Sequence, residues 1–403
     1  MMKLVSEMKN WDSVRIGDIF TVTSGGTPSR DNADYYLNGN IPWIKTGDLK
    51  GKYLSNPDEF ITNEALNNSS AKLFPKQTVL LAMYGATIGA CSILPFEAAT
   101  NQACAALLPN DQCSEEYLYY FFKSFQHELI KMGVGGAQPN ISAGKIKDIQ
   151  IPLPPLPIQQ KIAAILDAAD AYRQHTKALI EKYDQLAQSL FLDMFGKNSG
   201  KEISFNDLAD KRNKGTFSNG PFGSDLLTSE LTTSGVPVIY IRDLRNGQYN
   251  WKSNVYVTHK KAAELINCQV RLNDVLIAKV GDPPGIAAIY SGEDELAVIT
   301  QDVIRLRVNT KIVSPKFIQF WFNSQIGQVT LKSIIVEGTR KRFGLGDLKK
   351  TKINVPAIAL QNLFAERIQL IEAQKQQAQL SLQKSEELFQ SLLQKAFNGE
   401  LVG

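Results

Sequence analysis

The sequence predicts an α+β protein with a pseudo-two-fold internal repeat: two mixed α/β globular regions, each leading into one long helix. Three observations predict it. Blocks of the first half recur in the second, in order and at a nearly constant offset. Short buried-strand signals that run into glycine turns sit at matching places in both halves. A proline-containing hinge closes each globular region and opens an apolar run spaced alternately by four and three residues.

The repeat is read from four blocks. Ile41-Pro42-Trp43-Ile44-Lys45-Thr46-Gly47-Asp48-Leu49 returns as Val236-Pro237-Val238-Ile239-Tyr240-Ile241-Arg242-Asp243-Leu244, an offset of 195. Val79-Leu80-Leu81-Ala82 with Gly85 returns as Val275-Leu276-Ile277-Ala278 with Gly281, at 196. Asn101-Gln102 matches Thr300-Gln301, at 199, and Ile151-Pro152-Leu153-Pro154 matches Ile353-Asn354-Val355-Pro356, at 202. An offset that creeps by a few residues is what loop insertions produce. A period near 200 is too long for a solenoid, whose units run about 20–50 residues, so a whole domain pair is duplicated.

The elements follow in order. Residues 1–152 form the first globular region, with a buried strand at 78–82. The hinge 151–157, four prolines in seven residues, cannot be helical. It opens a spacer helix over 153–197, whose seam is Ile158, Ile162, Ile165, Ala169, Tyr172, Thr176, Leu179, Tyr183, Leu186 and Leu190. The second globular region covers 198–355, with its strand at 274–278. A C-terminal helix over 356–403 carries the seam Phe364, Ile368, Ile371, Lys375, Ala378, Leu382, Ser385, Phe389, Leu392 and Ala396. Each seam covers 32 helical steps, roughly 48 Å at about 1.5 Å per residue, which exceeds what a compact domain of this size needs. A helical hairpin filling out each core is the plainer alternative.

Composition narrows the function classes. Of 403 residues, 43% are hydrophobic and 21% charged, ordinary for a soluble protein. No apolar run reaches the ~18–20 residues a membrane span needs, and the start lacks a secretory h-region. The net charge of +4 is mild, so any basic footprint is local. Cys91, Cys104, Cys113 and Cys268 have no zinc spacing, which fits reduced thiols in a cytoplasmic protein. Three histidines far apart starve a hydrolase or metal site.

Motifs for catalysis fail on inspection. Asp282-Pro283-Pro284 is followed by Gly285, where a base-flipping Asp-Pro-Pro-aromatic loop needs its stacking ring. Gly144-Lys145 is followed by Ile146, where a P-loop needs Ser or Thr. No nucleophile elbow is present. The chain reads as non-catalytic by itself.

What remains are loops that mix glycine with long polar side chains at matching places. In the first half they hold the candidate contacts Lys45, Thr46, Tyr84, Gln138 and Asn140. In the second they hold Arg242, Lys279, Arg340, Lys341 and Arg342. Glycine lets a backbone approach phosphate closely, Asn and Gln can bond adenine in two places, and Arg or Lys can bond guanine. For any one loop alone a solvated turn is the bland reading; recurrence in both halves weighs against it.

These residues resemble a family, the specificity subunit of type I restriction-modification systems, over essentially the whole chain. The resemblance rests on Trp11, Val14 and Ile16-Gly17-Asp18-Ile19 at the opening, on the block 41–49, and most on 151–162 with Ile165-Leu166-Asp167. The duplicate from Val355-Pro356 to Gln361 is a weaker copy, and the second half opens at Ile203-Ser204-Phe205 without the Trp and Gly of the first. The resemblance implies two target-recognition domains separated by two long helices that pair antiparallel as a coiled coil. It implies double-stranded DNA as ligand, with each domain reading one half of a bipartite, asymmetric site and the helices setting the spacer. It also implies two methyltransferase subunits docked on the bundle and restriction-motor subunits in the full complex. No cofactor is then bound by this chain; S-adenosylmethionine, ATP and Mg belong to the partner subunits. About 48 Å of helix corresponds to about 14 base pairs at ~3.4 Å each. The rival from another class is a non-catalytic coiled-coil scaffold for protein–protein assembly, with DNA binding incidental.

Overall fold

The computed structural model describes residues 11–55, 57–133, 139–197, 200–212, 215–221 and 223–402. The chain folds as two compact units, 1–177 with 379–403, and 178–378. Each unit holds one globular region and stretches of both long helices.

In the first unit an antiparallel sheet has the order Val22–Ser24, Cys104–Leu107, Val79–Ala82, Cys91–Ile93. A second sheet has the order Phe60–Ile61, Ile41–Ile44, Ala98–Thr100, Leu73–Phe74, with its central pair parallel. The second unit repeats the plan. Phe217–Asn219, Val303–Leu306, Val275–Ala278 and Ala287–Ile289 form the antiparallel sheet. Val236–Ile239 and Ala297–Ile299 form the parallel pair at the centre of the other. Both strands read from the sequence, Val79–Ala82 and Val275–Ala278, are buried along their length, so their continuous apolar runs match central positions with both faces covered. The second unit adds a hairpin, Leu244–Arg245 with Gln248–Tyr249, turned by Asn246 and Gly247 at φ 52° and 72°. Asn-Gly is the pair that such a two-residue turn favours.

A two-stranded ladder closes each unit below its long helix: Ser13–Arg15 with Gln150–Pro152, and Lys201–Ser204 with Lys352–Val355. The long helices are Leu156–Phe195 and Ile358–Phe397, 40 residues each. Within each unit their stretches run antiparallel. In the first, Arg173 lies over Phe389 and Lys177 pairs with Glu386. In the second, Asp184 contacts Lys375 and Phe191 packs on Phe364.

The second helix carries its seam as expected: all ten positions are buried or half-buried. The first helix departs from it. Tyr172 and Leu186 are 55% and 51% exposed, and the buried line instead follows Ala187, Phe191 and Phe195. Those residues are spaced four and four, because a helix at 3.6 residues per turn drifts away from a strict 3.5 repeat. Phe191, Phe195 and Phe364 pack on Phe317 and Phe320 of the helix Pro315–Asn323, with ring centroids 5.1–6.1 Å apart. In the first unit Tyr117 and Phe121, on the helix Glu115–Ser124, pack on Phe397.

One device recurs where each long helix begins. Gln159 is fully buried; its carbonyl accepts from the Ser114 amide at 3.0 Å, and its amide donates to the carbonyls of Gln112 and Pro154 at 2.9 and 2.8 Å. Gln361, also fully buried, accepts from the Ser314 amide at 2.8 Å and donates to the carbonyls of Ile312 and Pro356 at 3.2 and 2.7 Å. A primary amide supplies two donors and an acceptor on one short plane, which no other uncharged side chain but Asn can do. Each glutamine thereby joins the hinge, the helix start and the loop before the aromatic helix.

Candidate nucleic-acid interface

In the first unit Lys45 and Thr46 follow the strand Ile41–Ile44. The Lys45 amide donates to Asp48 Oδ2 at 2.8 Å and closes a tight turn over Thr46–Asp48. The Lys45 ammonium is engaged with Glu59. Arg30 reaches the other oxygen of the same carboxylate at 2.6 Å while lying over the rings of Tyr36 and Trp43, 4.4 and 4.9 Å from their centroids. Hydrogen bonding from Lys45, reinforced by Arg30 against the opposing effect of burial, holds the Glu59 carboxyl below its usual range. Two cations thus share one carboxylate on an aromatic-backed surface. Thr27 contacts Gln102 beside it.

Tyr84 and Asn140 come together elsewhere in this unit. They face each other across an antiparallel bridge, with Gly85 N–H on Pro139 O and Ile141 N–H on Met83 O, both at 2.9 Å. Both residues are exposed. No hydrogen bond or ion pair among the described residues joins this pair to Lys45 or Thr46. Gln138 lies outside the described residues.

The second unit makes the same bridge between Val280 and Arg342, with Gly281 N–H on Lys341 O at 3.1 Å and Phe343 N–H on Lys279 O at 3.3 Å. Lys279, Lys341 and Arg342 are thus brought together, with Arg340 on the adjoining loop. Lys341 pairs with Asp282 at 3.0 Å, which raises its pKa. Arg340 and Arg342 have no side-chain hydrogen bond or ion pair among the described residues, and they line a cleft of about 530 Å³ with Asp302 and Glu337. Arg242 stands apart, on the turn Ile241–Asp243 that matches Thr46–Asp48. Its Nε donates to Ser253 Oγ at 2.8 Å, and its guanidinium lies 4.4 Å from the Tyr240 ring centroid.

Both units therefore offer two equivalent places: a turn after the parallel strand and a bridged loop pair after the central antiparallel strand. Sequence reading reached these four places but proposed neither Arg30 nor Glu59 as a contact. Arg30 closes the glycine loop 24–30 and was visible there; Glu59 is brought in by the pairing of Ile41–Ile44 with Phe60–Ile61, a register that no local pattern announces. Among the described residues no group of His, Cys, Asp and Glu is placed to hold a metal ion. No described helix is long and apolar enough to cross a membrane.

Residues 8–182 match the family model described as the type I restriction modification DNA specificity domain. The type I restriction enzyme MjaIX specificity subunit of Methanocaldococcus jannaschii is 35% identical over 211 residues, covering 50% of this chain. The chain spans about half the length of that relative, 48%. The type I restriction enzyme EcoKI specificity subunit of Escherichia coli is 23% identical over 418 residues, 98% of this chain and 89% of the relative. A solved chain from a structural study of complex assembly and conformational transition of the type I R-M system superposes with a TM-score of 0.65. It shares 16% identity over 98% of this chain and 99% of that one, a likeness of fold. By these matches the chain is similar to type I restriction-modification specificity subunits, over residues 8–182 in the family model and over most of its length in the Escherichia coli relative.

Proposed function

We propose that the chain is the DNA sequence-specificity subunit of a type I restriction-modification complex. Its regions 1–152 and 198–355 each read one half of a bipartite, asymmetric site, and the helices over 153–197 and 356–403 set the spacing between halves. One observation carries the reading: equivalent bridged loops in two units present different side chains, Tyr84 and Asn140 in one, Lys279 and Arg342 in the other. A common scaffold with unlike contact residues suits a site whose halves differ. Lys45, Thr46, Tyr84, Gln138 and Asn140 contact the first half-site; Arg242, Lys279, Arg340, Lys341 and Arg342 contact the second.

The chemistry belongs to partners. Two methyltransferase subunits dock along the helices, where Leu370, Leu380 and Leu388 are exposed apolar residues on otherwise polar faces. Restriction-motor subunits join that core, and S-adenosylmethionine, ATP and Mg are bound by these partners. Modified-base sequencing of DNA from cells expressing a methyltransferase partner, with and without this chain, tests the function. A two-part methylated motif that requires the chain is the expected result. An active partner that yields no such motif overturns the reading.

A further inference from the structure

We propose that one structurally equivalent position reads a base pair in each half-site: Asn140 an A·T pair in the half bound by the first unit, and Arg342 a G·C pair in the half bound by the second. This rests on the function proposed above and assigns part of the target.

The equivalence is set by the backbone. Asn140 bridges Tyr84, two residues beyond the strand Val79–Ala82; Arg342 bridges Val280, two residues beyond Val275–Ala278. The repeat offsets, 196 at the strand and 202 at the hinge, carry Tyr84 onto Val280 and Asn140 onto Arg342. The flanking amide–carbonyl pairs coincide as well, Gly85 with Pro139 and Gly281 with Lys341. Both side chains are exposed, and neither has a side-chain partner among the described residues, so each is available to a ligand.

The side chains at this position differ in the way the two base pairs differ. Beside Arg342 the cleft holds Arg340, Asp302 and Glu337, two guanidinium groups against two carboxylates. Such a near-neutral cleft repels a phosphate about as much as it attracts one. It suits a base edge: guanine offers N7 and O6 to a guanidinium, and the paired cytosine offers its N4 amino group to a carboxylate. In the first unit a cleft of about 360 Å³ adjoins the same bridge but is lined by the neighbouring positions, Gly85 and Pro139 with Ala86, Ile88 and Ile130, and not by Tyr84 or Asn140 among the described residues. None of the described residues lining it is charged, and Ile130 among them is 54% exposed. The exposed, unpartnered Asn140 carboxamide fits an A·T pair, whose adenine presents N6 and N7 to Asn.

The test uses the complete complex and duplexes carrying its own methylated motif, with purines replaced one at a time by 7-deazaadenine or 7-deazaguanine, which lack the N7 acceptor. One 7-deazaadenine in one half and one 7-deazaguanine in the other each weaken binding about tenfold. Asn140→Ala removes the first penalty and leaves the second; Arg342→Ala does the reverse. Arg342→Lys keeps the charge and loses the two-pronged fork, so its 7-deazaguanine penalty falls as well, whereas a phosphate contact would leave that penalty unchanged. Penalties that persist in all three variants overturn the assignment while the specificity function stands. A wild-type complex that methylates no two-part motif overturns both.

Discussion

The two units share a strand order yet stabilise it with different side chains. At the start of the central strand the first unit buries Thr78, which donates to the Pro75 carbonyl at 2.8 Å. At the matching place the second buries Asp274, which takes two bonds from the Arg307 guanidinium at 2.7 and 2.6 Å. Opposite Leu80 the first unit has Ala106; opposite Leu276 the second has Arg305, whose burial pulls its pKa down to about 10. After the parallel strand one unit builds Lys45–Glu59–Arg30, and the other builds Asp243, Ser253 and Arg242. What the units keep in common is backbone pairing, the bridged loops and one buried glutamine each. The fold is held by those shared features, so the polar side chains around the loops are free to differ and to carry different recognition.

Removing a shared feature is expected to cost most and to cost both halves alike. Gln159→Ala or Gln361→Ala removes the partner of three backbone groups, some buried and some part-buried, at about 1 kcal/mol or more each, for a loss of at least about 3 kcal/mol in either case. Denaturant unfolding of the two variants checks this; one costly and one neutral substitution would show that the two joints are not equivalent. Next comes a feature that only the second unit has. Asp274→Ala leaves the Arg307 guanidinium unpaired, at a cost of about 3 kcal/mol, the lower end for a broken buried pair because Arg307 is 23% exposed. Thr78→Ala at the matching place should cost about 1 kcal/mol. Equal losses in the same unfolding experiment would erase the distinction between the units.

The smallest expected effect lies in the first unit. Because the folded-state pKa of Glu59 is lowered, its pairing stabilises fully above the usual carboxylate range and is lost as pH falls through the lowered value. Partial exposure limits the contribution to about 0.5 kcal/mol. Unfolding midpoints of the wild-type chain and Glu59→Gln should converge in acid and separate near neutrality. A separation that grows in acid would contradict the sign.

The sequence-based reading reached the duplication, both central strands and the whole seam of the second long helix, because each leaves its mark in the sequence itself: blocks recurring in order, a continuous apolar run, and a spacing of four and three. It misplaced part of the first seam, where Leu186 is exposed and Ala187 buried, since a one-residue phase error changes a helical face by about 100°. The aromatic helices Glu115–Ser124 and Pro315–Asn323 escaped it: runs such as Tyr117-Leu118-Tyr119-Tyr120-Phe121-Phe122 have no period that separates helix from strand. Among the candidate contacts, the pairing of Tyr84 with Asn140 and of Lys279 with the segment 341–343 depends on registers set by separations of 56 residues or more. The residue types were legible; which of them meet was not.

Independent reading by the two units is tested most directly by the methylated motif of a complex carrying Arg340→Ala and Arg342→Ala together, compared with that of the wild-type complex. The expected result is a motif in which one half is relaxed and the other is retained base for base. A motif altered in both halves, or in neither, would contradict it.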